Sequence, residues 1–340
     1  MSTKTLTAFE ESLVRHDEEA WRGALAELLP HVHEVDRNAV QIWFRFFPLA
    51  LFDAFERTED PARLAQQLEM QGAFLLRDQI DSSHTFLYGH RFWPEVKREV
   101  VRLAESNEAA PSTSLAGLMR EVASRVAAGR KVEPSLAGGI AAVALMTLRQ
   151  VGLAEFRRTP GEVLLDARHA RRSPEQILRE RARDDAQGLL GFLRTTDKSW
   201  TVVWDENDAE RRFKAVNMQE VASGAATDKR PWHERDARCT VDEGPIPVQC
   251  RSASCGTCWV GVLGGAEKLT PVGARERRMM PAFGYIETDD PRPLIRLSCQ
   301  AQATGAVSIV IPPWNGYFGK YLKKQSEARD PEPETESRQA

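Results

Sequence analysis

The sequence predicts an α+β chain in two parts, an all-α N-terminal region followed by a small mixed-sheet domain. Three observations predict it. Apolar residues recur at three-to-four spacing from about residue 7 to 190, as amphipathic helices require. Around residue 199 the period shortens, and "SWTVVWDENDAERRFKAVN" gives two strands carrying Val, Trp and Phe around a polar turn. All five cysteines lie after residue 238, so the second part has chemistry that the first lacks.

The helical elements follow in order. "FEESLVRHDEEAWRGALAELL" opens the region with acids early in the segment, where a helix dipole favours them. Pro30 suits the first turn of the next helix, and Pro48 ends or kinks it. "DPARLAQQLEMQGAFLLRDQI" begins with Asp60 as N-cap and Pro61 at the first helical position. "SNEAAPSTS", residues 106–114, has loop composition and divides the helices into a first part, 1–110, and a second, 111–195. "PSLAGGIAAVALMTLRQVGLAEF" is nearly all apolar and reads as the central helix of a bundle. "SPEQILRERARDDAQGLLGFL" starts with Ser173 as N-cap and Pro174 behind it.

Residues 196–316 form the second domain. After the first two strands, "MQEVASGAA" gives a short helix and "CWVGVLGG" a strand ending in a Gly-Gly turn. "TPVGARERRMM" predicts a helix capped by Thr270 with Pro271 at its first position, and "LIRLSC" and "GAVSIVIPP" are strands. Residues 317–340 comprise an aromatic and basic edge, expected to pack within the chain, and a tail. From Gln325 onward that tail is too polar to pack and reads as disordered.

Composition narrows the classes. Over 340 residues, 42% hydrophobic and 28% charged residues describe an ordinary globular protein, and a net charge of −3 gives no nucleic-acid footprint. The first 21 residues carry five acids and no apolar core, unlike a signal peptide. "AVQIWFRFFPLALFDAF" is broken by Gln41, Arg45, Pro48 and Asp53, so a buried helix pair is expected and no membrane span. The expected compartment is the reducing cytoplasm, where cysteines serve as metal or redox ligands.

"CRSASCGTCWVGVLGG" crowds Cys250, Cys255 and Cys258 together, and forty residues separate them from Cys299. Trp259 follows the C-x-x-C, so a c-type haem is excluded, and no histidine lies between Cys250 and Cys299 for a Rieske centre. Structural zinc remains open only as an all-thiolate site of unusual spacing. The pattern matches the C-x4-C-x2-C…C ligand set of a plant-type 2Fe–2S cluster. Two ferric ions, two sulfides and four thiolates leave a negative group, so the loop must aim backbone N–H donors at sulfur. Ser252, Ala253, Ser254, Gly256 and Thr257 put no bulk in the way, and Gly256 accepts a positive φ. Arg251 and Arg296 flank the ligands and read as solvated surface arginines.

Residues of about 199 to 313 resemble the plant-type 2Fe–2S ferredoxin domain. The resemblance rests on "CRSASCGTC", on the "WVGVLGG" strand and turn, and on "RLSCQAQATGAVSIVIP" around the last cysteine. It implies a β-grasp fold and one 2Fe–2S cluster ligated by Cys250, Cys255, Cys258 and Cys299. By the same resemblance the domain carries single electrons and is an electron-transfer protein or subunit rather than itself an enzyme. The gap before Cys299 exceeds that of typical members. Its apparent insertion, "RRMMPAFGYIETDDPRP", is expected as a surface loop near the cluster. Cys239 lies outside the motif and reads as a buried structural thiol. Residues 196–316 hold fifteen Lys or Arg and sixteen Asp or Glu, without the acidic field of diffusing ferredoxins. The expected partner is therefore a redox protein, held in a standing complex or docked by the helical region.

The helical region also holds His31, His33, Glu34 and Asp36, and Asp78, Asp81, His84 and His90. Ordinary structural roles are expected for them. The alternative is a second cofactor, haem or di-iron, within an oxidoreductase component. No G-x-G-x-x-G follows a strand, so the chain lacks the means to accept hydride itself.

Overall fold

Side-chain caps set where the N-terminal helices begin. In the computed structural model, which describes residues 6–106, 114–163, 165–187, 198–284 and 289–329, Thr7 and Glu10 form a reciprocal capping box at α1 (Ala8–Val14). Asp17 accepts from the Ala20 N–H and starts α2 (Glu18–Leu28). Pro30 lies in a short 3-10 turn, and α3 (Glu34–Phe46) begins only where His33 caps it. Pro48 separates α3 from α4 (Leu49–Arg57), and Asp60 with Pro61 opens α5 (Pro61–Gln67) as the sequence predicts. Then follow a two-residue strand β1 (Gln71–Gly72), α6 (Trp93–Glu105), α7 (Leu115–Arg130), α8 (Ser135–Arg158), the single turn α9 (Ala167–Ala170) and α10 (Pro174–Ala182). Ser173 caps α10 through a box with Gln176. The loop predicted between α6 and α7 lies mostly outside the described residues.

Helix α8 is the centre of the bundle. Among the described residues it is the one helix long and apolar enough to cross a membrane, yet Ile140 through Leu148 are enclosed by α3, α6 and α7. Gly152 interrupts it at φ 76° and ψ 162°, which frees backbone groups inside the core. Buried Glu10 meets one of them: its Oε1 accepts the Leu153 N–H at 2.7 Å, while Oε2 accepts the Thr7 N–H.

The second part contains β2 (Ser199–Val203), β3 (Arg212–Val216), α11 (Val221–Ala225), β4 (Trp259–Gly264), α12 (Ala274–Met279), β5 (Ile295–Leu297) and β6 (Val307–Val310). The chain ends in β7 (Trp314–Asn315) and α13 (Gly319–Arg329). Five strands make one mixed sheet in the order β3-β2-β6-β4-β5, with β2 parallel to β6 and every other neighbour antiparallel. The chain is thus α+β. Some predicted details differ: the helix expected over residues 60–80 ends at Gln67, and Gln71–Gly72 pair as a strand instead. Thr270 caps no helix but accepts the Gln302 N–H, and α12 starts at Ala274. α13 runs through Arg329, past the predicted start of the tail at Gln325, because Phe318 is buried and anchors its first turn; residues 330–340 lie outside the description.

The helices and the sheet share a core. Trp314 donates from its indole to the Phe46 carbonyl at 2.6 Å, and Trp259 donates to the Trp314 carbonyl at 3.1 Å. Phe46 meets Trp259 edge-on at 5.4 Å. β1 pairs with β7, Gln71 opposite Asn315, so a strand from the helical region closes on the last strand of the chain. Arg181 of α10 forms a buried bidentate pair with Glu206 and also donates to the Val35 carbonyl.

Gly261 in β4 lets α3 approach the sheet: a Cβ there would stand 2.5 Å from Ile42 Cγ2 and 3.0 Å from Val310 Cγ1. Gly261→Ala is therefore expected to destabilise the protein by about 1–3 kcal/mol through overpacking. Urea unfolding measures this, and an unchanged midpoint would show that the seam yields.

Candidate metal centre

Strand pairing brings distant cysteines together. β4 and β5 run antiparallel with Trp259 opposite Leu297, and the Ser298 N–H continues the ladder to the Cys258 carbonyl at 2.9 Å. Cys258 thus enters β4 where Cys299 leaves β5, close enough for each thiol to act on the other's proton. Cys255 donates its N–H to Cys250 Sγ at 3.3 Å, and its thiol acts electrostatically on Cys258. The four cysteines expected from the sequence are thus linked through these two pairs. Among the described residues no three His, Cys, Asp or Glu side chains close around a single point as ligands of one ion would.

The loop from Cys250 to Cys258 turns its N–H groups inward. Ser252, Ser254 and Cys255 donate to Cys250 Sγ at 3.4, 3.2 and 3.3 Å, and the Ala253 N–H reaches Cys299. Positive φ angles at Arg251 (51°), Ala253 (57°) and Gly256 (64°) produce this concave ring of donors. Only the glycine was legible in the sequence; Arg251 and Ala253 adopt a conformation that costs other residues strain. At Gly256 a Cβ would lie 2.7 Å from the Phe283 ring, so the position excludes any side chain on two grounds.

These donors shape the thiols. Burial works against the Cys250 anion, but the N–H groups directed at it bring the thiol down to about 7. In the second pair the shared hydrogen bond holds the proton on Cys258, pushed well above its ordinary range with burial assisting. The same bond, with Gln300 and the Ala253 N–H, lowers Cys299 to about 6. Thiols that lose their protons near neutrality are the form that binds metal. Cys239 behaves differently. It is buried, donates to the Pro245 carbonyl at 3.4 Å and is pushed up to about 11 by burial.

Arg296 corrects an expectation. It is 1% exposed and not a solvated surface residue, since Glu276, equally buried, accepts its Nε and Nη2 at 2.9 and 3.0 Å. Glu276 also accepts the Leu297 N–H at 2.8 Å, and Arg296 donates to the Thr270 carbonyl. This pair bolts α12 along the open edge of β5, immediately before Cys299. Arg251 does remain exposed, paired with Glu243 and donating to Ser223 Oγ. The insertion before Cys299 also departs from a surface loop. Its Met280 and Phe283 are buried, with Phe283 packed on Gly256 and 4.9 Å from the Tyr317 ring; residues 285–288 lie outside the description.

Tyr317, unsuspected from the sequence as a neighbour of the site, donates from its hydroxyl to the Ser254 carbonyl at 2.5 Å. Burial and the adjacent Cys255, Glu69 and Cys250 push that hydroxyl up to about 12, so it stays a donor.

The histidines and acids of the helical region are held in other ways. Asp81 accepts from Trp93, Lys97, Thr159 and the Gly161 N–H, which occupies both carboxylate oxygens. Asp36 accepts the Tyr88 and Gly89 N–H groups, and burial raises it to about 6. His84 and His90 are buried and joined Nδ1 to Nδ1 at 2.9 Å. His31 stays exposed in its turn and His33 caps α3.

No protein-family model, no curated protein and no solved structure matches this chain.

Two tests follow from these contacts. Glu276→Gln leaves the Arg296 guanidinium buried without its counter-charge and is expected to cost about 3–5 kcal/mol, read by denaturant titration. Burial lowers His90 from 6.5 to about 4, so the unfolded chain binds a proton that the folded chain refuses. Stability is intact above pH 6.5 and falls as pH drops from 6.5 toward 4, by about 3 kcal/mol from this group. His90→Gln should lessen that slope, with buried His84 keeping the remainder; an unchanged pH profile of unfolding would refute the assignment.

Proposed function

We propose that this chain transfers single electrons through one 2Fe–2S cluster held by Cys250, Cys255, Cys258 and Cys299, with the helical region as docking scaffold for a redox partner. The observation that carries this reading is the meeting of Cys299 with Cys258 across the β4–β5 ladder, beside the Cys250–Cys255 pair. The pairing of Cys250 with Cys255 and of Cys258 with Cys299 suits two metal ions that each take two thiolates. The strand order supports a β-grasp domain: the first and last strands of the sheet lie parallel at its centre, with the first hairpin on one side and β4 and β5 on the other.

Bound there, the cluster would supply a one-electron couple. The chain's own residues supply its setting. The N–H groups of Ser252, Ala253, Ser254 and Cys255 face the sulfurs and offset added negative charge. Phe283 closes the loop from behind at Gly256, and the Arg296–Glu276 pair fixes the strand that delivers Cys299. Ser254 stays exposed and Cys255 half-exposed, giving the side from which an electron is exchanged. A reducing, cytoplasmic setting keeps the four thiols available.

Anaerobic purification with iron and sulfide analysis tests the proposal. The expected result is about two irons and two sulfides per chain, with a paramagnetic signal after dithionite. Serine at any of the four positions should abolish the signal, while Cys239→Ser should keep it. A colourless protein holding one zinc would overturn the reading.

A further inference from the structure

The exposed lip of the cysteine loop lies between two basic helices. Ser254 is its most outward point, and two elements reach it. From α12, Arg275 donates to Ser254 Oγ at 3.4 Å, and Arg278 lies one turn further along the same exposed side. From the other side Tyr317 donates to the Ser254 carbonyl, and Lys320 of α13 stands over the Tyr317 ring at 5.5 Å. Lys324 follows one turn later on α13 and is also exposed. Arg251 adds a charge from within the loop, although Glu243 neutralises it. Among the described residues the other carboxylate acting on Tyr317 at the lip is Glu69, and Glu276 is buried against Arg296. Arg275, Arg278, Lys320 and Lys324 thus set four exposed cations beside the lip on a chain whose net charge is −3.

We infer that this rim is the docking surface for an acidic redox protein, an inference that rests on the electron-transfer reading. Charges around an exchange point act on encounter more than on final affinity, because they steer and orient the partner before contact. A positive rim encircling an electron-rich loop also cancels repulsion between that loop and a negatively charged partner. Side chains on α12 and α13 fit this use, since both helices are anchored beneath by buried residues: Glu276 and Met280 for α12, Phe318 for α13. Nucleic acid is disfavoured by the lack of an open aromatic face, the Tyr317 ring being covered by Lys320 on one side and in contact with Phe283.

The test uses the full chain as purified and two probes. The first is a fluorescent ten-residue polyglutamate peptide, followed by anisotropy at low and physiological salt, which needs no cluster. Binding at low salt is expected, at least tenfold weaker for the Arg275→Glu, Arg278→Glu, Lys320→Glu, Lys324→Glu variant and weakened by salt. The milder Arg278→Gln, Lys324→Gln variant, which alters no described hydrogen bond, should show an intermediate loss if the fourfold variant folds poorly. The second probe is oxidation of the reduced protein by ferricyanide against hexaamminecobalt(III): the anion should lose rate with salt, and the fourfold variant should reverse the preference. Peptide binding unaffected by either variant would overturn the rim, as would a dT20 oligonucleotide binding tenfold tighter than the peptide. Absence of iron and of a paramagnetic signal defeats the electron-transfer reading instead, while the peptide result still judges the rim.

Discussion

Three residues of ladder, Trp259 to Gly261 against Leu297 to Ile295, bring Cys258 and Cys299 together across forty residues of chain. A thiol cluster gathered from loops alone would have to order each loop separately, at about 1–2 kcal/mol of backbone entropy per residue. Here Cys258 and Cys299 are placed by strand register, which the buried side chains of β4 and β5 already specify. The edge of β5 is in turn closed by Glu276, which binds both its backbone and Arg296. The remaining two cysteines follow from the donor ring of the loop, where Cys250 accepts three N–H groups.

The helical region bears on the same site through packing. β4 follows directly from Cys258, and its first residue, Trp259, is held between Phe46 of α3 and Trp314. From Trp314 the chain runs on to Tyr317, which touches the exposed loop. A displacement of α3 would therefore be felt at two of the elements that surround the cysteines. This gives the helices a physical link to the site and makes them a continuous support for it.

What the sequence made legible was local. Asp60 and Ser173 cap helices because their oxygens reach N–H groups three residues away, and the spacing of Cys250, Cys255 and Cys258 is itself a short-range pattern. The α+β division was equally plain, since periodicity changes where the strands begin. The rest depended on partners distant in the chain. Arg296 looks like any surface arginine until α12 supplies Glu276, and Thr270 resembles an N-cap until Gln302 takes its hydroxyl. β1 is too short to carry a pattern, and it exists because β7 arrives beside it. The insertion before Cys299 reads as a polar excursion, but Phe283 finds the space that Gly256 leaves.

The bond between Glu10 and the kinked backbone at Leu153 joins positions 143 residues apart. During synthesis at ~5–20 residues per second, that carboxylate waits about 7 to 29 seconds for its partner to be made. For that interval α1 lacks α8, the helix that it packs on most, although α6 is made earlier and Thr7 already engages the other oxygen of Glu10. The break at Gly152 thus ties the first helix of the chain to the far end of its longest one, a contact that exists only once Leu153 has been made.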